Sequence, residues 1–253
     1  MKKRIFITGA SGLLGKSVLN KIDHERFDVI IGSRKEVIGN SGYKWQYFNL
    51  DDSVSQLDLK GIDVVLHLAS NTSNLRVSSD ISGMQQLIAA STKNKVGHLI
   101  YISIVGVDKV PVKYFKTKRK AEKLLENSGL DYSILRATQF HEFFEKEILK
   151  QMAKSIIVVP NIKYQPIEAN LVAKKLIEMT SNSPSNSIVE IGGPETIFFK
   201  TAIQRYTEKR NKKPLLFAIP NMLLGKLSSA LTTSNIANDS IGWSEYLNSK
   251  NFE

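Results

Sequence analysis

The chain has 253 residues, 42% of them hydrophobic and 23% charged, with a net charge of +11; this is the composition of a folded globular protein and excludes a disordered chain. It has no cysteine, which excludes disulfides, thiolate metal sites and a cysteine nucleophile, and no metal site is expected. The opening MKKRIFITGASG is too short in apolar residues for a signal-peptide core, and no apolar run approaches the roughly 18 residues of a membrane span, so a cytoplasmic protein without membrane contact is expected.

In chain order, RIFIT (4–8), FDVIIG (27–32), KWQYF (44–48), DVVLHL (63–68), HLIYIS (98–103) and DYSILR (131–136) read as strands. Their nearly continuous hydrophobicity suits strands buried on both faces, as in a parallel sheet. Helical patterns at 13–22, 81–94 and 113–128 separate them, and such alternation predicts an α/β fold with helices on both sides of a doubly wound parallel sheet. Beyond residue 137 helical patterns dominate, at 139–154, 168–181, 199–210, 221–230 and 241–249, with short strands at 155–159 and 187–191. The expected division is a sheet domain over 1–137 and a smaller, mostly helical lobe over 138–253, with 187–191 returning to the sheet.

The first strand runs directly into Thr8-Gly9-Ala10-Ser11-Gly12-Leu13-Leu14-Gly15, which opens the first helix. Three glycines at spacing three permit a sharp turn, close approach of backbone to a pyrophosphate, and tight helix–strand packing. The helix N-terminus adds free N–H groups and a positive dipole end. A bare βα turn has the same glycines; the strand before it and the βαβ pattern around it favour dinucleotide binding. At the end of the second strand, an acid would bind the ribose hydroxyls of NAD(H). Here the chain reads Gly32-Ser33-Arg34-Lys35-Glu36. Arg34, helped by Ser33 or Lys35, suits the 2′-phosphate of NADP(H), which is the expected cofactor ahead of NAD(H); otherwise Arg34 is a solvated turn residue. Asp51 is placed to accept from an adenine amino group or to cap a helix. Leu68, Ala69 and Ser70 end the fourth strand where the nicotinamide ribose would lie, and His67 before them reads as a packed core histidine.

Tyr114-Phe115-Lys116-Thr117-Lys118 contains a tyrosine and a lysine at i and i+4, which share a helix face. An ammonium near a phenol favours the phenolate and brings it toward the range useful for acid–base catalysis. Ser103 ends the strand before that helix and is expected to orient a substrate carbonyl. The segment 109–123 holds seven basic residues and one acid. It reads as a solvated helix face, a nucleic-acid surface, or a neighbour of an anionic ligand; no nucleic-acid-binding signature accompanies it.

The motifs TGASGLLG, GSRK, the strand-ending Ser103, YFKTK, LRATQFHEFF (135–144) and WSEYL resemble the short-chain dehydrogenase/reductase superfamily, in particular its atypical or extended branch of NmrA-like NAD(P)H-binding proteins. The resemblance implies a Rossmann domain with Gly9, Gly12, Gly15 and Arg34 holding NADP(H), a catalytic Ser103, Tyr114 and Lys118, and Gln139, Phe140 and His141 facing nicotinamide or substrate. It implies an NADPH-dependent oxidoreductase acting on a carbonyl or quinone-like small molecule. The same branch includes non-catalytic redox sensors that dock on a protein partner, and nucleotide-sugar epimerases. A nucleic-acid partner is not expected, and both a monomer and a homodimer fit the sequence.

Overall fold

The computed structural model describes residues 1–36, 43–52, 57–71, 79–152, 156–211, 214–219 and 229–250. The elements are β1 (Lys3–Thr8), α1 (Leu13–Leu19), β2 (Phe27–Ser33), β3 (Lys44–Tyr47), β4 (Val64–His67), α2 (Ser79–Asn94), β5 (His98–Ile104), α3 (Lys113–Glu126), β6 (Tyr132–Ala137), α4 (His141–Met152), β7 (Ile156–Pro160), β8 (Lys163–Tyr164), α5 (Ala169–Ser181), β9 (Ile188–Ile191), β10 (Ile197–Phe198), α6 (Phe199–Lys209), β11 (Leu215–Ile219) and α7 (Trp243–Asn248). Seven strands form one sheet in the order β3-β2-β1-β4-β5-β6-β9. β1 pairs in parallel with both β2 and β4, so Ile7 stands between Ile31 and Leu66. The reversal of strand order at β1 is the topological switch point of a doubly wound Rossmann sheet, where the carboxyl ends of strands leave a crevice.

The chain forms two compact units. The first comprises Met1–Ser103, Pro111–Arg136 and Val172–Val189. In it, Phe6, Val65, Leu99, Tyr101 and Ile134 project from one face of the sheet onto Met84 and Leu87 of α2 and Ala121 and Leu125 of α3. Residues of the opposite parity (Ile5, Ile7, Val64, Leu66 and Ile100) are equally buried, so the central strands are covered on both faces. That double burial explains their unbroken hydrophobicity.

The second unit comprises Ile104–Val110, Ala137–Leu171 and Glu190–Glu253. Its core joins Phe144 and Ile148 of α4, Ile157 and Val159 of β7, Ala202, Ile203 and Tyr206 of α6, and Trp243 and Leu247 of α7. Beyond the expected helices it contains three short strands that periodicity did not reveal. β8 pairs antiparallel with β10, and β11 pairs in parallel with β7. Two-residue strands carry no period, and the run Leu215–Ile219 lacks the length or flanks to separate strand from helix. The helix expected over 221–230 lies mostly outside the described residues.

Candidate functional site

At the switch point of the first unit, β1 ends in a turn whose backbone only glycine tolerates. Gly9 has φ +74°, and a Cβ there would lie 2.5 Å from the Ala69 nitrogen. A Cβ on Gly15 would lie 2.2 Å from the Gly9 carbonyl oxygen, so this third glycine lets α1 close onto the turn. The Gly12 N–H donates to that same carbonyl at 3.0 Å. Gly12 caps α1 without a side-chain hydrogen bond, and no acid occupies the first turn of the helix.

The turn forms one wall of a cleft of about 380 Å³. Of the residues singled out from the sequence, Gly9, Ser11, Gly12, Ser33, Arg34, Asp51, Leu68, Ala69 and Ser70 line it, as do Asn49 and Asn71. Thr8, Leu13, Leu14 and Gly15 are not among its lining residues. Thr8 is fully buried behind the turn, where its hydroxyl accepts from Ala69 N–H at 3.2 Å and lies 2.7 Å from His67 Nδ1. It ties β1 to β4 and supports the wall from behind. Arg34 is exposed at the rim and forms no ion pair with the described residues. The hydroxyl of Ser33 is engaged, accepting from the Trp45 indole at 2.9 Å and donating to the Lys35 carbonyl at 2.5 Å. Asp51 accepts a hydrogen bond from the Ser79 hydroxyl, so its carboxylate is anchored to the start of α2.

Beside the cleft a buried polar chain begins at Ser70. Its hydroxyl donates to Asp80 Oδ2 at 2.5 Å and lies 3.2 Å from the Tyr114 hydroxyl. The other oxygen of Asp80 accepts from Asn71 N–H at 2.7 Å. Lys118 Nζ stands 4.0 Å from Asp80 Oδ2, with both side chains almost completely buried. The ammonium also donates to the Ile102 carbonyl at 3.2 Å and sits 4.7 Å above the Tyr101 ring. Burial alone would depress the Lys118 pKa; Tyr101, Tyr114 and Asp80 together outweigh it and leave the pKa raised. Lys118 is therefore a permanent cation.

The helix pair α2–α3 brings Tyr114 and Lys118 to Ser70 and Asp80, and Asp80 was not found from the sequence. It reads there as an ordinary acid at a helix N-terminus, and nothing in one sequence distinguishes the two roles. Ser103 follows Ile102 on β5; it is buried, and its hydroxyl has no hydrogen-bond partner among the described residues. Within the basic segment, Arg119 pairs with Glu122 and Glu126, whereas Lys116, Lys120 and Lys123 are exposed. Most of that charge is a solvated helix face.

In the second unit Gln139, Phe140 and His141 take different places. The Gln139 and Phe140 backbones are bridged to Ile167, and neither the amide nitrogen nor the oxygen of Gln139 finds a partner among the described residues. His141, expected to face nicotinamide or substrate, lies in the core. It is fully buried, stacked 4.6 Å from the Tyr246 ring, with Nε2 donating to the Ile241 carbonyl at 3.0 Å. Burial lowers its pKa to about 4, so it is a neutral core imidazole.

A family model described as NAD(P)H-binding matches residues 9–155. The chain belongs to this NAD(P)H-binding family. Prestalk A differentiation protein A of Dictyostelium discoideum is 22% identical over 212 residues, which are 79% of this chain and 67% of that protein. Among solved structures, a nucleoside-diphosphate-sugar epimerase from Staphylococcus aureus superposes with a TM-score of 0.75 at 19% identity, covering 98% of this chain and 99% of its own. An NADPH-dependent quinone oxidoreductase from Escherichia coli gives 0.72 at 15% identity, covering 96% and 98%. At these identities the likeness is one of fold. The cleft suits the NAD(P)H that defines the family: a turn in which Gly9 and Gly15 leave no room for a Cβ, a helix start without a side-chain cap, and a guanidinium at the rim with no ion pair among the described residues.

Proposed function

We propose that this NAD(P)H-binding protein is an oxidoreductase that uses NADPH to reduce a carbonyl or quinone-like small molecule. The observation that carries this reading is the 3.2 Å approach of the Tyr114 hydroxyl to Ser70, a residue that itself lines the cleft. A proton donor thus stands beside the dinucleotide site.

In this reading the backbone of Gly9, Ser11 and Gly12 receives the pyrophosphate, and Arg34 receives the adenosine 2′-phosphate. Asp51 borders the adenine end, and Leu68, Ala69 and Ser70 border the nicotinamide end. The reduced nicotinamide, when bound, supplies a hydride to the acceptor. Tyr114 donates its hydroxyl proton to the acceptor oxygen and is reprotonated from solvent. Lys118 keeps a positive charge near the phenol, and Ser103, whose hydroxyl has no partner among the described residues, is the group assigned to hold the acceptor oxygen in place.

The test is NADPH oxidation against a panel of quinones, aldehydes and ketones, with Tyr114→Phe in parallel. Turnover is expected with one acceptor class, and Tyr114→Phe is expected to lose about 10²–10⁴-fold in turnover with NADPH affinity little changed. Full activity in that variant would remove Tyr114 from the mechanism. A wild-type protein that binds NADPH and reduces no member of the panel would favour a redox-sensing role instead.

A further inference from the structure

The chain has two tryptophans. Trp243 is fully buried in the core of the second unit, whereas Trp45 stands on β3, the edge strand of the large sheet, and is 38% exposed. β3 runs parallel to β2, with Trp45 beside Ile31 and Tyr47 beside Ser33. Side chains alternate across a strand, so Trp45 and Ser33 share one face of the sheet, one diagonal step apart. Across that step the Trp45 indole N–H donates to the Ser33 hydroxyl at 2.9 Å.

Ser33 passes the constraint on. Its hydroxyl donates to the Lys35 carbonyl at 2.5 Å, a bond from side chain to backbone two residues ahead that closes a bend around Arg34. A serine has one hydrogen to give. With that hydrogen committed to Lys35, Ser33 has none left for a phosphate oxygen. Arg34 itself lines the cleft, is exposed, and forms no ion pair with the described residues. Where its guanidinium can reach is therefore set by the backbone of residues 33–35.

We propose that Trp45 is a positioning residue for cofactor choice. By fixing the Ser33 hydroxyl it holds the bend over residues 33–35 in the shape that presents the Arg34 guanidinium to the adenosine 2′-phosphate. The inference rests on the NADPH reading above and gives Ser33 an indirect part in it. A bend held before binding lowers the ordering cost at binding. NADH carries no group for Arg34 at this position, so only NADPH benefits.

The test is calorimetric titration of the full chain with NADPH and with NADH, for the wild type, Trp45→Phe, Ser33→Ala and the double variant. Trp45→Phe keeps an aromatic ring and removes the donor. Each single variant should keep its circular dichroism, bind NADPH about three- to tenfold more weakly and bind NADH unchanged. The double variant should be no weaker than the weaker single one, because both substitutions break the same chain of bonds. Equal losses for the two cofactors would make Trp45 merely structural and overturn the proposal. So would additive losses, or a Ser33→Ala loss without a Trp45→Phe loss, since either assigns Ser33 to the phosphate directly. A wild type that does not favour NADPH overturns the NADPH reading and this inference with it. A wild type that favours NADPH, loses the preference in Arg34→Gln and keeps it in Trp45→Phe overturns this inference alone.

Discussion

The hydroxyl of Ser70 donates to the carboxylate of Asp80 at 2.5 Å. A serine has one hydrogen to give, so across the 3.2 Å to Tyr114 Ser70 accepts and the phenol donates. Asp80 thereby sets the direction of the chain, and at 4.0 Å it also balances the buried charge of Lys118.

Asp80→Asn removes the carboxylate and leaves the Lys118 ammonium buried without a counter-ion. Loss of one partner of a buried pair costs about 3–5 kcal/mol, which urea unfolding will report. Adding Lys118→Met should restore much of that loss, because the uncompensated charge goes with it. Equal additive losses from the two substitutions would show that the pair is not coupled.

Gly9→Ala tests the turn. The alanine would have to adopt φ +74° with its Cβ 2.5 Å from the Ala69 backbone. Backbone strain of this kind costs about 1–3 kcal/mol before the collision is added. The expected outcome is a lower melting temperature and loss of NADPH binding, measured by fluorescence titration. Unchanged binding would mean that the cofactor does not lie against this turn.

Arg34→Glu replaces the rim cation with an acid. A hydrogen bond to a charged group is worth about 1.5–3 kcal/mol, so NADPH affinity should fall by about 10–100-fold while NADH affinity holds or rises. Paired titrations with the two cofactors decide this. Equal losses for both would assign Arg34 to the shared part of the dinucleotide.

Three buried histidines make stability depend on pH. Burial, with the Lys118 charge adding to it, lowers His67 to about 3; burial lowers His98 and His141 to about 4. Above the unfolded value near 6.5 these residues are neutral in both states and contribute no pH dependence. Below it the unfolded chain takes up protons that the folded chain refuses, so stability falls by about 1.4 kcal/mol per pH unit for each histidine until the folded values are reached. Urea unfolding between about pH 6.5 and 5 should show that slope, and His141→Gln should remove about one third of it. A slope unaltered by that substitution would place His141 in solvent.

Much of the fold was legible because its signals are local. Continuous Val, Ile and Leu runs mark strands buried on two faces, and the spacing of Gly9, Gly12 and Gly15 states a backbone requirement in the residues themselves. The helices α4, α5, α6 and α7 were readable from period. The two-residue strands β8 and β10 were not, and neither was β11, whose five apolar residues fit strand and helix alike. Tyr114 and Lys118 could be related to each other from the sequence because one helical turn separates them. The approach of Asp80 to Lys118 and the stacking of His141 on Tyr246 left no local signal, because each partner comes from another helix.

By itself the sequence determined the parallel α/β architecture and the glycine turn after β1, which follow from residue identity and short-range spacing. Only the tertiary structure decided which polar groups meet. Ser70 and Tyr114 are 44 residues apart in the chain, and their contact exists because α2 and α3 pack on the same face of the sheet. The exposure of Ile156, Val158 and Phe217 was decided in the same way, since an apolar strand residue turns inward or outward according to what covers its sheet.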